Sequence, residues 1–253
     1  MFEQEANMKS ILDKTVREIA TENPASTKVF EALGIDYCCG GNRSLQQACE
    51  RASLAPEHVI EMLSQAGART QPESDSERNW AAASAPELIA HIVNVHHAYT
   101  RSEIPRITAL LDKVSARHGA AHPEVLEVRP LVAALAGELM AHMLKEEQIL
   151  FPFIEQLDGA EQRPGIPAPC FGSIAYPIAR MLADHNDAGA LLARIRELTD
   201  GYAPPADACP TFRALYKALD EFERDLHLHI HLENNILFPA AQRLEEQASA
   251  TRG

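Results

Sequence analysis

Two stretches of the chain carry the same order of groups: His142-Met-Leu-Lys-Glu146-Glu-Gln-Ile149-Leu150-Phe151-Pro152 and His229-Ile-His-Leu-Glu233-Asn-Asn-Ile236-Leu237-Phe238-Pro239. Both read His-x-x-x-Glu-x-x-Ile-Leu-Phe-Pro. Residues four apart share a helix face, so each copy presents an imidazole beside a carboxylate. Neither group tolerates burial without a partner, and both stand in apolar surroundings. A bound metal ion supplies that partner.

The apolar stripes around these pairs predict where they point. Steps of three and four along the last helical pattern give Phe212, Leu215, Leu219, Phe222, Leu226, His229, Glu233, Ile236 and Ala240. The same steps through the earlier copy give Val128, Val132, Leu135, Leu139, His142, Glu146, Ile149 and Phe153. Only the histidines and glutamates interrupt either stripe, so both pairs are expected in a core. Two further patterns each offer a histidine on the apolar face: His96 among Ile89, Ile92, Ile107, Leu110 and Val114, and His185 among Ile178, Leu182, Leu192 and Ile195. Counting residues from the shared loops at about 1.5 Å each puts the four histidines at levels agreeing within about 5 Å. His96 precedes His142 by 46 residues and His185 precedes His229 by 44, the signature of a duplicated helix pair.

Four imidazoles and two carboxylates exceed what one tetrahedral zinc accepts. They suit two metals with shared carboxylates. Nitrogen and oxygen donors without thiolate favour iron or manganese and leave zinc open. The expected ligands are His96, His142, Glu146, His185, His229 and Glu233, with Glu146 and Glu233 spanning the pair. The competing reading is a set of core histidines, each hydrogen-bonded to its neighbouring glutamate. Two copies with depth-matched partners on two other helices favour the metal.

Other polar residues have lesser roles in this reading. His97 turns about 100° from His96 and is expected at the periphery. His227 and His231 fall off the stripe, and His91 lies at its boundary. Glu138 and Asp184 stand near ligands as candidate hydrogen-bond acceptors or proton carriers. Pro105 removes a backbone donor inside the first long helix and predicts a kink there.

These groups need long helices. After Pro86 four helical patterns run over roughly 86–116, 123–158, 172–199 and 210–247, separated by Gly- and Pro-containing breaks. No alternating strand pattern of useful length is present. The fold class expected is all-α: an up-down four-helix bundle over 86–247, a linker over 67–85, and a small helical domain over 1–66. That small domain holds Asp36-Tyr37-Cys38-Cys39-Gly40-Gly41. Adjacent cysteines are expected to diverge, which disfavours a closed zinc site. The motif reads either as a redox or metal-relay dithiol or as two small buried residues in a glycine turn. Cys49, Cys170 and Cys209 have no metal-like spacing.

Composition narrows the function classes. A formal charge of −13 over 253 residues opposes nucleic-acid binding, which rests on basic patches. No apolar run approaches the length that spans a bilayer. The acidic start lacks the order of a signal peptide, and five cysteines make no disulfide framework, so a cytoplasmic protein with reduced thiols is expected.

Taken together, Tyr-Cys-Cys-Gly-Gly near the start, His-Met-x-Lys-Glu-Glu-Gln-Ile-Leu-Phe-Pro and His-x-x-Leu-Glu-Asn-Asn-x-Leu-Phe-Pro resemble the RIC (repair of iron centres) proteins over about residues 8–243. The resemblance implies a hemerythrin-like bundle holding two non-haem iron ions, with the same six ligands, behind a double-cysteine domain. It implies recovery of damaged iron–sulfur proteins after nitrosative or oxidative stress, with nitric oxide or dioxygen as a small ligand. Asp184, where a glutamate is expected, and the loops at 112–130 and 158–172 depart from the pattern. Three activities are compatible: iron handling for damaged clusters, with Cys38 and Cys39 aiding transfer; reduction of nitric oxide to nitrous oxide; and binding or sensing without turnover. A homodimer is an open expectation.

Overall fold

The computed structural model describes residues 10–67, 78–159 and 172–250. Most of the expected linker (68–77), most of the 158–172 loop and Cys170 lie outside these. The described residues form helices and no strand, with one isolated bridge between Thr15 and Ser44. By internal contacts they divide into two units: Met1–Ser84 with Ile230–Pro239, and Ala85–His229 with Ala240–Gly253.

The first unit contains α1 (Val16–Glu22), α2 (Ser26–Ala32), α3 (Leu45–Ala52) and α4 (Pro56–Gly67). Reciprocal capping starts two of them: Thr15 with Glu18, and Ser44 with Gln47. Each pair satisfies backbone donors that a helix start otherwise leaves orphaned. The core joins Val16, Ile19, Phe30, Leu45, Cys49, Val59 and Leu63. Helices this short hold together by such packing rather than by propensity.

The second unit contains the bundle helices α5 (85–118), α6 (124–158), α7 (Ala175–Leu198) and α8 (210–250), except that Ile230–Pro239 of α8 counts with the first unit. Ion pairs and hydrogen bonds at two levels fix the direction of each neighbour. Asp112–Arg129 and Arg101–Glu147 run α6 against α5. Glu127–Arg194 and Lys145–Asp184 run α7 against α6, and Arg196–Glu223 with Ser173–Glu245 run α8 against α7. The order is up-down-up-down. Val128, Val132, Leu135 and Leu139 of α6, Ile178, Met181, Leu192 and Ile195 of α7 and Phe212, Leu215, Leu219 and Phe222 of α8 are all buried, and Val132, Leu135, Leu192, Ile195, Leu219 and Phe222 line one small cavity between the helices. Each such fully buried side chain contributes about 1.5–3 kcal/mol.

Three of the four helices widen at one level. The turns Ile92–His97 in α5, Glu146–Leu150 in α6 and Leu232–Leu237 in α8 are π-helical. The amide of Ala98 reaches the Val93 carbonyl, that of Phe151 the Glu146 carbonyl, and that of Phe238 the Glu233 carbonyl, each five residues back. In α6 and α8 the widened turn is followed by Phe-Pro. A proline ring crowds the carbonyl four residues earlier and offers no amide to it, which disfavours an ordinary turn there.

A widened turn admits about one extra residue, so the buried face beyond it advances along the chain. Ile149, expected inside, is 52% exposed, and Leu150 is 1% exposed in its place. Leu237 and Ala241 are buried where Ile236 and Ala240 were expected. Leu110 and Leu182 also yield the core to Leu111 and Met181. Pro105 sits on the exposed side of α5.

Candidate metal centre

At the level of the three π-turns the bundle gathers buried nitrogen and oxygen donors into two sets. His97, Glu146, His229 and Glu233 form one; His142, Glu146, His185 and Glu233 form the other. Within each set, one donor atom per residue lies within 4.8 Å of all the others. Glu146 and Glu233 belong to both sets. Each follows a histidine of its own helix by one turn, as the repeated motif requires.

The close contacts are hard to reconcile with an empty core. His142 Nε2 faces His185 Nε2 at 3.0 Å, and His97 Nε2 faces His229 Nε2 at 3.2 Å. Glu146 Oε1 lies 3.1 Å from His142 Nε2, and Oε2 lies 3.5 Å from His97 Nε2. Glu146 is 0% exposed, and neither of its oxygens accepts a hydrogen bond within the usual limits. A buried carboxylate without donors costs several kcal/mol. Paired imidazole nitrogens aimed at one another carry repelling lone pairs unless a proton or cation lies between them. Two cations shared by the carboxylates relieve both problems, so the donor set fits a metal pair with mixed nitrogen and oxygen ligation.

Outer contacts orient the rings. His97 Nδ1 faces Glu147 Oε1 at 2.6 Å, and Arg101 Nη2 donates to that oxygen at 2.7 Å. His142 Nδ1 faces Asp184 Oδ2 at 3.4 Å, with Lys145 and Arg180 also on that carboxylate. A carboxylate on Nδ1 sets the tautomer that leaves Nε2 free to bind a metal. Partial burial alone would raise the Glu147 carboxyl, but hydrogen bonds from His97 and Arg101 hold it below the usual range. Asp184 behaves likewise: burial pushes it up, and Lys145 with His142 pull it down further. Both carboxylates therefore remain charged.

Five of the six expected ligands enter the two sets; His96 does not. Its Nδ1 points to Asp225 Oδ1 at 2.9 Å, and its ring stacks at 5.7 Å on that of His229. His97, expected at the periphery, is 0% exposed and takes the position assigned to its neighbour. The reason is the Ile92–His97 π-turn: a step of five residues from Ile92 reaches His97, where an ordinary turn would bring round His96. A signal was present in the chain. Thr100, Ile104, Leu111 and Val114 keep helical register with His97, whereas Ile92 and Ile89 keep it with His96, a break of phase between them.

Glu138 is exposed on α6 and stands apart from the site, while Asp184 does reach a ring. His91 packs its ring edge-on against His96 at 5.3 Å, and His227 lies near Glu223. His231, off the expected stripe, is nevertheless buried in the first unit against Tyr37, and Asn235 Nδ2 donates to its Nδ1 at 2.8 Å. Burial pushes its imidazole down to about 4, so it is neutral.

In the same unit Cys38 and Cys39 do not diverge: their sulfurs are 3.7 Å apart. Asp36 holds them in a tight turn, its carboxylate accepting from the amides of Cys38, Cys39 and Gly40. A Cβ on Gly41 would stand 2.7 Å from the Tyr37 carbonyl, so only glycine fits. Asn234 and Asn235, directly after Glu233, donate to the carbonyls of Cys38 at 3.3 Å and Tyr37 at 2.9 Å.

A family model described as the hemerythrin HHE cation binding domain matches residues 88–241. A second, ScdA_N, described as a domain of unknown function (DUF542), matches residues 12–67. A protein of Musicola paradisiaca named iron-sulfur cluster repair protein YtfE is 38% identical over 235 residues, covering 92% of this chain and 98% of its own. One of the same name from Edwardsiella ictaluri is 39% identical over 229 residues, covering 90% and 96%. A probable iron-sulfur cluster repair protein of Haemophilus influenzae is 34% identical over 230 residues, covering 91% and 97%. Among the described residues no helix is long and apolar enough to cross a membrane.

Proposed function

Because the chain belongs to the hemerythrin-type family of iron-sulfur cluster repair proteins, we propose that its bundle holds two iron ions and serves iron–sulfur proteins that have lost or damaged their clusters. The observation that carries this is the pair of donor sets sharing Glu146 and Glu233. In this reading His97 and His229 would hold one ion and His142 and His185 the other, with Glu146 and Glu233 available to both. Six protein ligands for two ions leave coordination positions open. A bound iron pair supplies redox capacity and open positions for a small ligand. The chain's own residues do the rest. Glu147 and Asp184 hold His97 and His142 in the binding tautomer, and burial shields the donor side chains from solvent.

Metal analysis with Mössbauer spectroscopy on freshly purified protein tests the site. Two irons per chain, spectroscopically coupled, are expected; one isolated ion or zinc rejects it. Transfer of labelled iron to an apo cluster protein tests the role. Delivery no faster than from free iron removes it.

A second reading rests on the same sharing of carboxylates, which sets two metals side by side. Two ferrous ions held there would supply two electrons and adjacent positions, so that two nitric oxide molecules with two protons could give nitrous oxide and water. The diferrous protein is then expected to yield nitrous oxide in an anaerobic single turnover. A stable adduct with no gas released would leave binding without turnover.

A further inference from the structure

The outward face of α6 differs in kind from those of the other bundle helices. Leu126, Pro130, Ala133, Gly137, Met140 and Leu144 follow one another by steps of four and three, and all are exposed. Leu126 and Leu144 are each 50% exposed and Met140 is 45%. Such steps make the narrow seam along which two helices coil together, yet this seam looks away from its own bundle. The outward faces of the other three carry charge instead: Arg106 and Lys113 on α5, Arg180 and Arg194 on α7, Lys217 and Arg224 on α8. The chain as a whole has a formal charge of −13, so an uncharged apolar strip on its surface marks contact with another molecule.

Charge at the edge of the strip identifies that molecule. Glu127 and Lys145 stand 18 residues apart, which is five full helical turns, so both lie on the same flank of the seam. Their side chains hold Arg194 and Asp184 of their own chain and stay 61% and 42% exposed. We propose that the strip is the contact between two copies of this chain, with the two α6 helices antiparallel about a two-fold axis at residues 136 and 137. A two-fold axis brings the same flank of both copies together, and this one sets Glu127 of each level with Lys145 of the other. Such flanking pairs fix the direction of paired helices. A parallel pair would oppose Glu127 to Glu127 and Lys145 to Lys145.

Side-chain size agrees with the same axis. Met140 of one copy comes level with Ala133 of the other, large against small, and Leu126 falls within about 3 Å of the level of Leu144. Gly137 stands at the axis itself. A Cβ there would meet nothing within 4 Å, so no neighbour in its own chain requires the glycine, although glycine weakens a helix interior. A second backbone crossing at that point does require it. The strip is about 30 Å long and about 10 Å wide, less than a permanent interface buries, so the dimer is a reversible one.

Sedimentation equilibrium of the full-length protein, under reducing conditions and from about 1 µM to about 300 µM, tests the contact. The mass should rise with concentration from that of one chain toward that of two. G137E, which opposes two carboxylates at the axis, should weaken association at least ~10-fold. E127K, which sets like charges level at the edge, should weaken it about 2–5-fold. In air, G137C should form a disulfide-linked dimer at least ~10-fold faster than A190C, an exposed position on α7, with wild type giving the background from the native thiols. Circular dichroism and metal content of each variant verify the fold. A single-chain mass at every concentration, a folded G137E that associates as tightly as wild type, or A190C cross-linking as fast as G137C overturns the proposal.

Discussion

His97 Nε2 lies 3.2 Å from His229 Nε2, whereas His96, its neighbour in the chain, turns Nδ1 to Asp225 at 2.9 Å. Both rings are buried and both have a carboxylate on Nδ1, so composition does not separate them. The difference is one of register, imposed by the π-turn that ends at His97.

Substitution of the two histidines separates their roles. H97A is expected to lose most of the metal at one position of the pair, and H96A to retain both ions. Iron content per chain, measured after gel filtration, reads the difference. Equal loss from both variants, with the fold intact, would return His96 to the ligand set.

Glu147 lies outside both donor sets yet orients a ring that belongs to one of them. E147Q keeps the shape and loses the charge that fixes the His97 tautomer. Metal affinity should fall about 10–100-fold with little change in helix content. Competition with a chromogenic chelator measures it, and E147A at wild-type affinity would show that Arg101 and packing suffice to hold the ring.

The widened turn in α6 has a consequence for stability. Leu150 is 1% exposed and Ile149 52%, so L150A should cost about 2–5 kcal/mol while I149A costs under about 1 kcal/mol. Urea unfolding of the two variants compares them directly. The reverse ranking would mean that the turn is an ordinary one in solution.

Away from the metal level, His122 Nε2 meets Asp207 Oδ1 at 3.2 Å between two loops. The hydrogen bond with Asp207 raises the His122 imidazole, and the same bond lowers the Asp207 carboxyl. The imidazole's contribution is complete below its unfolded value of about 6.5 and fades as pH climbs through the raised folded value. That of Asp207 is complete above about 3.9 and fades as pH drops through its lowered folded value. The pair is thus strongest between these limits. Asp207 is exposed and His122 partly so, so the effect is small. The Tm of wild type relative to H122Q should be higher at about pH 5 than at about pH 8. A difference independent of pH would show that the contact is not ionic.

Much was readable from residue order alone. The repeated His-x-x-x-Glu pair, set in apolar stripes, implied helices, a bundle and buried donors in need of a partner, for which a cation was the favoured one. His142, Glu146, His185, His229 and Glu233 all followed from that argument. Hydrophobic periodicity also placed most of the core residues of α6 and α8.

What sequence periodicity could not decide is where the helical repeat itself changes. A stripe read at 3.6 residues per turn assumes one twist throughout, and each π-turn moves every later residue to a new face. That shift carried His97 inward, and it exchanged Ile149 for Leu150 and Ile236 for Leu237. Contacts distant in the chain were equally hidden: Glu147 on His97, Asp225 on His96, and Asn234 on the Cys38 carbonyl join residues from 50 to 196 positions apart. Residue types determined which groups had to be buried; only the packed helices, through their local twist, decided which of two adjacent histidines stands in a donor set.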